Sequence, residues 1–155
     1  MNILFVCTGN TCRSPMAEAL LKAKAKNIKG LNVKVKSVGL SVVYGSTVAF
    51  ETKQLLKREN IITRHVPSQI NKKHIDWADL ILTMTNDQAG AIRNATGHNN
   101  TFSYGEYVGY GDVMDPYGMG IDRYMLTMQQ LSTYTDKLIE KIMFLRKVKW
   151  WIKLL

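Results

Sequence analysis

Cys7-Thr8-Gly9-Asn10-Thr11-Cys12-Arg13-Ser14-Pro15 is the stretch from which the rest of this chain is read. Before it, Ile3-Leu4-Phe5-Val6 is a short apolar run of the kind that makes a buried strand. After it a helical pattern opens, with Ser14 as the expected N-cap and Pro15 at the first helical position. Strand, tight loop and helix in that order aim the loop's backbone N–H groups at one point, with the positive end of the helix behind them. The loop is therefore read as an anion site. Cys7 at its first position and Arg13 near its last make it reactive as well as receptive.

Downstream of the loop, Met16, Ala17, Leu20, Leu21 and Ala25 share one helical face, and Gly30 ends that helix. Residues 33–38 alternate as a second strand. A loop over 39–46 leads to a helix over 47–60 with Val48, Leu55 and Leu56 as core, then an irregular stretch and a short helix within 68–77. Residues 79–84 read as a central strand. Thr85 or Asn86 caps the next helix, Thr101-Phe102-Ser103 is a short strand, and 104–120 is a glycine-marked loop. The last helix is expected over 121–149, with Leu131, Tyr134, Leu138, Ile142 and Leu145 on one stripe. Strands alternating with helices imply an α/β fold: three layers, an open parallel four-stranded sheet, and helices on both faces. Right-handed crossovers bring the strand C-termini to one edge, where ligands of such sheets bind. The loop after the first strand lies there, and so does the one leading from Phe102 towards Asp115. Asp115 is thus expected to meet Cys7.

The chain has 155 residues, 46% of them hydrophobic and 21% charged, which suits one globular domain over 1–149 followed by a basic, aromatic tail over 150–155. No run is long and apolar enough to span a bilayer, and the first residues lack a signal-peptide pattern, so the expected location is cytoplasmic. The net charge of +9 comes from scattered lysines rather than a basic run interleaved with aromatics. They are read as solvated helix faces and not as a nucleic-acid site. Cys7 and Cys12 are the only cysteines and sit in one loop, so they cannot staple a fold. They read as a reactive thiol with a neighbour able to trap it as a disulfide. His65, His74 and His98 lack ligand spacing, so neither a metal nor a cofactor is expected.

The spacing C-x-x-x-x-x-R-S has a chemical meaning. Backbone N–H groups, the helix N-terminus and Arg13 favour the thiolate of Cys7, the nucleophilic form. The same groups suit a dianionic phosphoryl group, two of whose oxygens Arg13 can hold in a bidentate pair. Gly9 is expected to permit a tight turn, Asn10 to brace the loop while tolerating left-handed dihedrals, and Ser14 to donate to the Cys7 sulfur. A phosphocysteine route also needs an acid for the leaving group and then a base for water. Asp115, held extended before Pro116, is the candidate, with Asp112 as competitor.

Phe5-Val6-Cys7-Thr8-Gly9-Asn10-Thr11-Cys12-Arg13-Ser14-Pro15-Met16-Ala17-Glu18-Ala19 resembles the active-site signature of the low-molecular-weight protein tyrosine phosphatases. Asp115-Pro116-Tyr117 resembles that family's late acid motif. The resemblance implies Cys7 as nucleophile, Arg13 as phosphate binder and Asp115 as acid, then base. Thr8, Gly9, Asn10, Thr11, Cys12, Ser14 and Tyr117 complete the phosphate and substrate site. Its tyrosine-specific members usually carry an apolar residue where this chain has Thr11. Cys-Thr-Gly-Asn-Thr-Cys-Arg-Ser is similar to the bacterial protein-arginine phosphatases, as is the stretch from Glu106 to Gly118. The resemblance therefore implies phosphoarginine proteins as substrate and inorganic phosphate as product, with phosphotyrosine as the alternative. By the same resemblance residues 40–45 form a pocket wall, with Val42 or Tyr44 in place of the usual aromatic and Tyr117 opposite.

Two other classes stay open at this level. An arsenate reductase of the same fold would relay a disulfide through later cysteines, and none follows Cys12. A phosphate-binding module without turnover would need no thiol opposite an acid. The terminal Lys147-Val148-Lys149-Trp150-Trp151-Ile152-Lys153-Leu154-Leu155 has the composition of a membrane-surface or partner-binding segment. The expectation preferred here is the last turn of the final helix, packed on the sheet with a frayed tip.

Overall fold

A computed structural model describes all residues, Met1–Leu155. Four strands form one sheet in the order β2-β1-β3-β4. They are β1 (Asn2–Cys7), β2 (Lys34–Gly39), β3 (Leu80–Thr83) and β4 (Thr101–Ser103), and all pairs are parallel. The chain leaves β1 towards one side and returns to build the other, so the order reverses between β1 and β3. The crevice at that reversal lies beyond Cys7, the last residue of β1.

Alternation along β1 sorts its side chains between two cores. Ile3, Phe5 and Cys7 face a large core with α1 (Arg13–Ala25), α2 (Phe50–Arg58) and α6 (Ile121–Leu154), through Met16, Leu20, Leu56, Leu131 and Leu138. Leu4 and Val6 face a smaller one with Ile81, Ile92 and Ala78, under α3 (Lys72–Trp77) and α4 (Asn86–Thr96). Both faces of β1 are buried, as a parallel strand between helical layers requires.

Several local expectations are corrected. Cys12, not Ser14, occupies the N-cap of α1, and it makes no side-chain cap. The Ser14 hydroxyl is buried against Cys7 instead. The stretch after β4 is not all loop, because α5 (Tyr104–Val108) follows directly. Ser103 caps α5 by accepting from the Glu106 N–H at 3.1 Å, and Tyr104 is buried with its hydroxyl donating to Thr135 at 3.1 Å. Gly105 has no alternative there, since a Cβ would lie 1.8 Å from the Gly111 carbonyl oxygen. Finally, α6 runs on to Leu154. Leu145 is exposed, and so are Trp150, Trp151, Ile152, Leu154 and Leu155, so the end of the helix is not packed on the sheet. No helix is long and apolar enough to cross a membrane.

Candidate active site

The loop from Cys7 to Arg13 is tied to the structure around it by backbone hydrogen bonds. The Leu40 and Ser41 N–H groups donate to the Cys7 and Thr8 carbonyls, and the Ala49 N–H donates to the Thr11 carbonyl, each at 2.9 Å. Gly39 lets β2 end this close to the loop, since a Cβ there would fall 2.7 Å from the Thr8 carbonyl oxygen. The expectation for Gly9 is corrected. A side chain there would meet only Thr11 Oγ1, at 3.7 Å, and its φ is not left-handed. The left-handed residue is Asn10, at φ 55°.

Asn10 is fully buried and holds the loop from beneath. The Ser68 N–H donates to its Oδ1 at 2.9 Å. A backbone N–H can only donate, so this contact fixes which end of the amide is oxygen. Nδ2 then donates to Ser14 Oγ at 2.8 Å and to Ser37 Oγ at 3.0 Å. Because Ser14 accepts from Asn10, its own proton is free for Cys7 Sγ, 2.9 Å away. The Asn10 N–H also donates to Cys7 Sγ, at 3.2 Å. Two donors therefore converge on the sulfur.

Sequence reading alone missed the next layer of this network. His65 Nε2 lies 2.7 Å from Asn10 Oδ1, so it must carry a proton to donate. Its Nδ1 lies 3.3 Å from Glu18 Oε2, which also accepts from Ser37 at 2.6 Å. Burial holds His65 below its ordinary value. Glu18 opposes that, and Lys22, paired to Glu18 at 2.5 Å, blunts the opposition. Only a polar residue on the inward face of β2, Ser37, and a histidine in an irregular stretch hinted at any of this.

Cys12 is buried in the same loop. Burial pushes its thiol up, opposed by hydrogen bonds to Thr11 and Tyr124 and reinforced by the charges of Cys7 and Asp115. The Tyr124 hydroxyl sits 3.2 Å from Cys12 Sγ, and burial raises that phenol in turn. Neither group is inclined to ionise near neutral pH.

Arg13 is buried and spans the crevice. One guanidinium nitrogen donates to the Val113 carbonyl at 3.1 Å, and the other lies 3.4 Å from Asp115 Oδ2. The loop bearing Asp115 is anchored on both sides. The Val113 N–H donates to the Met84 carbonyl beyond β3 at 2.8 Å, and the Met114 N–H donates to Gln130 of α6 at 3.0 Å. Asp115 Oδ1 accepts from the Tyr117 N–H at 3.2 Å, closing an Asx-type turn over Pro116. Asp112, the competitor, accepts from the Asn86 N–H at 2.9 Å at the start of α4.

A cleft of about 530 Å³ gathers Cys7, Thr8, Gly9, Thr11, Cys12 and Arg13 with Asp115 and Tyr117. Asn10 and Ser14 lie beneath its floor. The wall from the β2–α2 connection is Ser41, Val43, Ser46 and Thr47. Val42 and Tyr44 do not line it; Tyr44 is turned wholly into solvent. Gln88, from α4, donates to the Thr8 hydroxyl at 3.1 Å.

Residues 2–148 match the family model described as low molecular weight phosphotyrosine protein phosphatase. The chain belongs to this family. Among its relatives, a protein-arginine phosphatase of Geobacillus stearothermophilus is 42% identical over 144 residues, 90% of this chain and 95% of that one. A low molecular weight protein-tyrosine phosphatase of Staphylococcus haemolyticus is 37% identical over 140 residues, 89% of this chain and 97% of its own. A solved arginine phosphatase whose active-site cysteine is replaced by a phosphorylated serine superposes with a TM-score of 0.87. It is 38% identical and is aligned over 92% of this chain and 95% of its own. The family's four-stranded parallel sheet, with the phosphate loop after its first strand, is the fold expected above.

Proposed function

We propose that this chain is a cytoplasmic, cysteine-dependent protein phosphatase that removes phosphoryl groups from arginine side chains and releases inorganic phosphate. The carrying observation is the setting of Cys7. Its sulfur meets two hydrogen-bond donors, in a cleft that also holds a buried Arg13 and an exposed Asp115. In this reading Cys7 Sγ attacks phosphorus, and the N–P bond to the arginine breaks as Asp115 protonates the departing nitrogen. Arg13 and the loop N–H groups hold the phosphoryl oxygens through the transition state. Asp115, now a carboxylate, takes a proton from the water that attacks the phosphocysteine. The sulfur leaves as a thiolate that Ser14 and the Asn10 N–H stabilise.

Thr11 is the proposed basis of substrate choice. Its side chain is half-buried and lines the cleft, with Oγ1 3.4 Å from Cys12 Sγ. A hydroxyl there can accept a hydrogen bond from a guanidinium or orient water, whereas a methyl group would pack on a phenyl ring. The protein-arginine phosphatase relative supports this reading. The staphylococcal tyrosine phosphatase, nearly as similar, supports phosphotyrosine as the second reading. The deciding measurement is kcat/KM on matched phosphoarginine and phosphotyrosine peptides, for wild type and Thr11→Ile. Wild type is expected to prefer phosphoarginine and Thr11→Ile to lose that preference. The same ratio in both enzymes would remove Thr11 from the argument, and a wild-type preference for phosphotyrosine would establish the second reading.

A further inference from the structure

The last helix changes sides. Through most of α6 one stripe is buried against the sheet and α1, ending with Leu131, Leu138 and Ile142. Helical spacing carries that stripe on to Arg146, Lys149 and Lys153, at four, seven and eleven residues beyond Ile142. The opposite face bears the exposed Lys137–Glu140 pair, and the same spacing continues it as Phe144, Val148, Trp151 and Leu155. After Glu140 the face towards the domain becomes basic and the face away from it becomes apolar. Phe144 is 63% exposed, Trp151 63% and Leu155 fully. The domain cannot cover this stripe, because the stripe points away from it.

We propose that residues 144–155 form an interfacial helix that docks on an anionic lipid surface. The charge pattern selects this occupant. From Phe144 to Leu155 there are four cations and no acidic side chain, on a chain whose net charge is +9. Lys147 borders the apolar stripe, where a lysine reaches headgroups, and Arg146, Lys149 and Lys153 stand behind it. Tryptophan beside leucine on the apolar face suits the boundary between headgroups and acyl chains. A second copy of the helix would bring like charges together. Its four-residue stripe is also far short of the ~800 Å² per partner that stable interfaces bury.

The placement leaves the catalytic cleft free. Helix α6 begins at Ile121, just after the Asp115 loop, and its 34 residues extend about 50 Å. Near its far end, Lys149, Trp150 and Lys153 stand beside Met1, at the edge of the sheet opposite the cleft. A lipid-bound chain would therefore hold its cleft towards soluble proteins.

Co-sedimentation of the full chain with vesicles tests the proposal, using phosphatidylcholine alone and a three-to-one mixture with phosphatidylglycerol. Partition is expected to be at least ~10-fold stronger on the anionic vesicles, since each cation near such a surface adds about fivefold. Trp151→Glu and Phe144→Ser should abolish it, and Lys147→Gln, at the border of the stripe, should weaken it about fivefold. Turnover of a small aryl phosphate should be unchanged in every variant, which verifies folding. Absence of binding, equal binding to neutral vesicles, or binding that survives Trp151→Glu would overturn the proposal. So would a dimer in sedimentation velocity that Trp151→Glu dissociates, which would give the stripe to a second copy.

Discussion

Replacing Asn10 separates two costs that the structure combines in one residue. In Asn10→Gly the left-handed backbone at φ 55° is retained without strain. The partners at Ser14, Ser37, His65 and Ser68 lose their hydrogen bonds inside the protein. Each unsatisfied buried group costs ~1–3 kcal/mol, and water entering the space left by the amide relieves part of it, so the expected loss is about 2–4 kcal/mol. Asn10→Ala adds the left-handed penalty of a residue with a Cβ, ~1 kcal/mol more. For a chain of this size, a loss of ~3–5 kcal/mol lowers Tm by about 10–15 °C. Activity should fall as well, since the Ser14 hydroxyl is no longer held with its proton towards Cys7. That effect acts through Ser14, so the drop in kcat should be on the order of 10-fold, below the ~10²–10³ seen when a transition-state donor is itself removed. Urea unfolding of wild type and both variants gives the stabilities, and steady-state kinetics on an aryl phosphate gives kcat. If both variants lie within ~0.5 kcal/mol of wild type, the buried network is not what holds the loop. If Ala and Gly are equal to each other, the backbone at Asn10 carries no strain.

Asp115→Asn should slow phosphoester turnover by ~10²–10⁴-fold with phosphate binding nearly intact. Asp112→Asn should leave the rate within a few-fold, because Asp112 serves the start of α4, and the reverse outcome would exchange the two roles. Peroxide should inactivate the enzyme reversibly. Cys7 is oxidised by peroxide to the sulfenic acid, and the Cys12 thiol then displaces water to form a disulfide, visible as a loss of two hydrogen atoms by mass spectrometry; sulfinic acid at Cys7 alone would deny Cys12 that part. Stability should depend on pH through His65, whose folded value is depressed, so that the unfolded chain binds the extra proton. The folded state is then at full strength above about pH 6.5 and weakens as pH falls through that value, until the folded histidine titrates too. His74 shifts in the same direction, so the readout is the difference in Tm between wild type and His65→Gln at pH 7.5 and 5.5, and a constant difference would refute the link.

The sheet was legible because its evidence is local. Ile3–Val6 and 79–84 are apolar runs bounded by turn residues, and 33–38 alternates, so strand positions came within a residue or two. The candidate loop from Cys7 to Arg13 was legible for the same reason, as its residues are consecutive. The pocket wall was not. Val43 faces the cleft and Tyr44 faces solvent because of the path taken between Gly39 and Ala49, which is pinned by bonds to carbonyls of the Cys7 loop. Nothing in Val42-Val43-Tyr44-Gly45 specifies that path. Helix α5 escaped notice because five residues carry no period; its cap at Ser103 and the fit of Gly105 against Gly111 exist only in the folded chain. The Asn10 network unites residues from three separate stretches, the loop with α1, β2, and 65–68, and a sequence can offer its members but not their meeting.

The two halves of the cleft are built to different standards, and the chemistry accounts for the division. Cys7, Asn10, Arg13 and Ser14 are each at most 5% exposed. Charge on sulfur and on the phosphoryl oxygens can be stabilised there by donors that need not reorganise. Asp115, Tyr117 and Val43 are largely exposed. Asp115 faces Arg13 across the crevice at 3.4 Å, an ion pair that solvent weakens and that incoming phosphate must compete with for the same guanidinium. Binding therefore exchanges one anion for another on Arg13. In the proposed mechanism this releases the Asp115 carboxylate to take up the proton it then delivers to the leaving group, while the donor to Val113 keeps the guanidinium in place. A more rigid or more deeply buried Asp115 would hold its pair with Arg13 against the substrate. In that mechanism the exposure of Asp115 is part of how the site admits a phosphoryl group, and the buried bracing of the loop keeps Cys7 fixed while it does so.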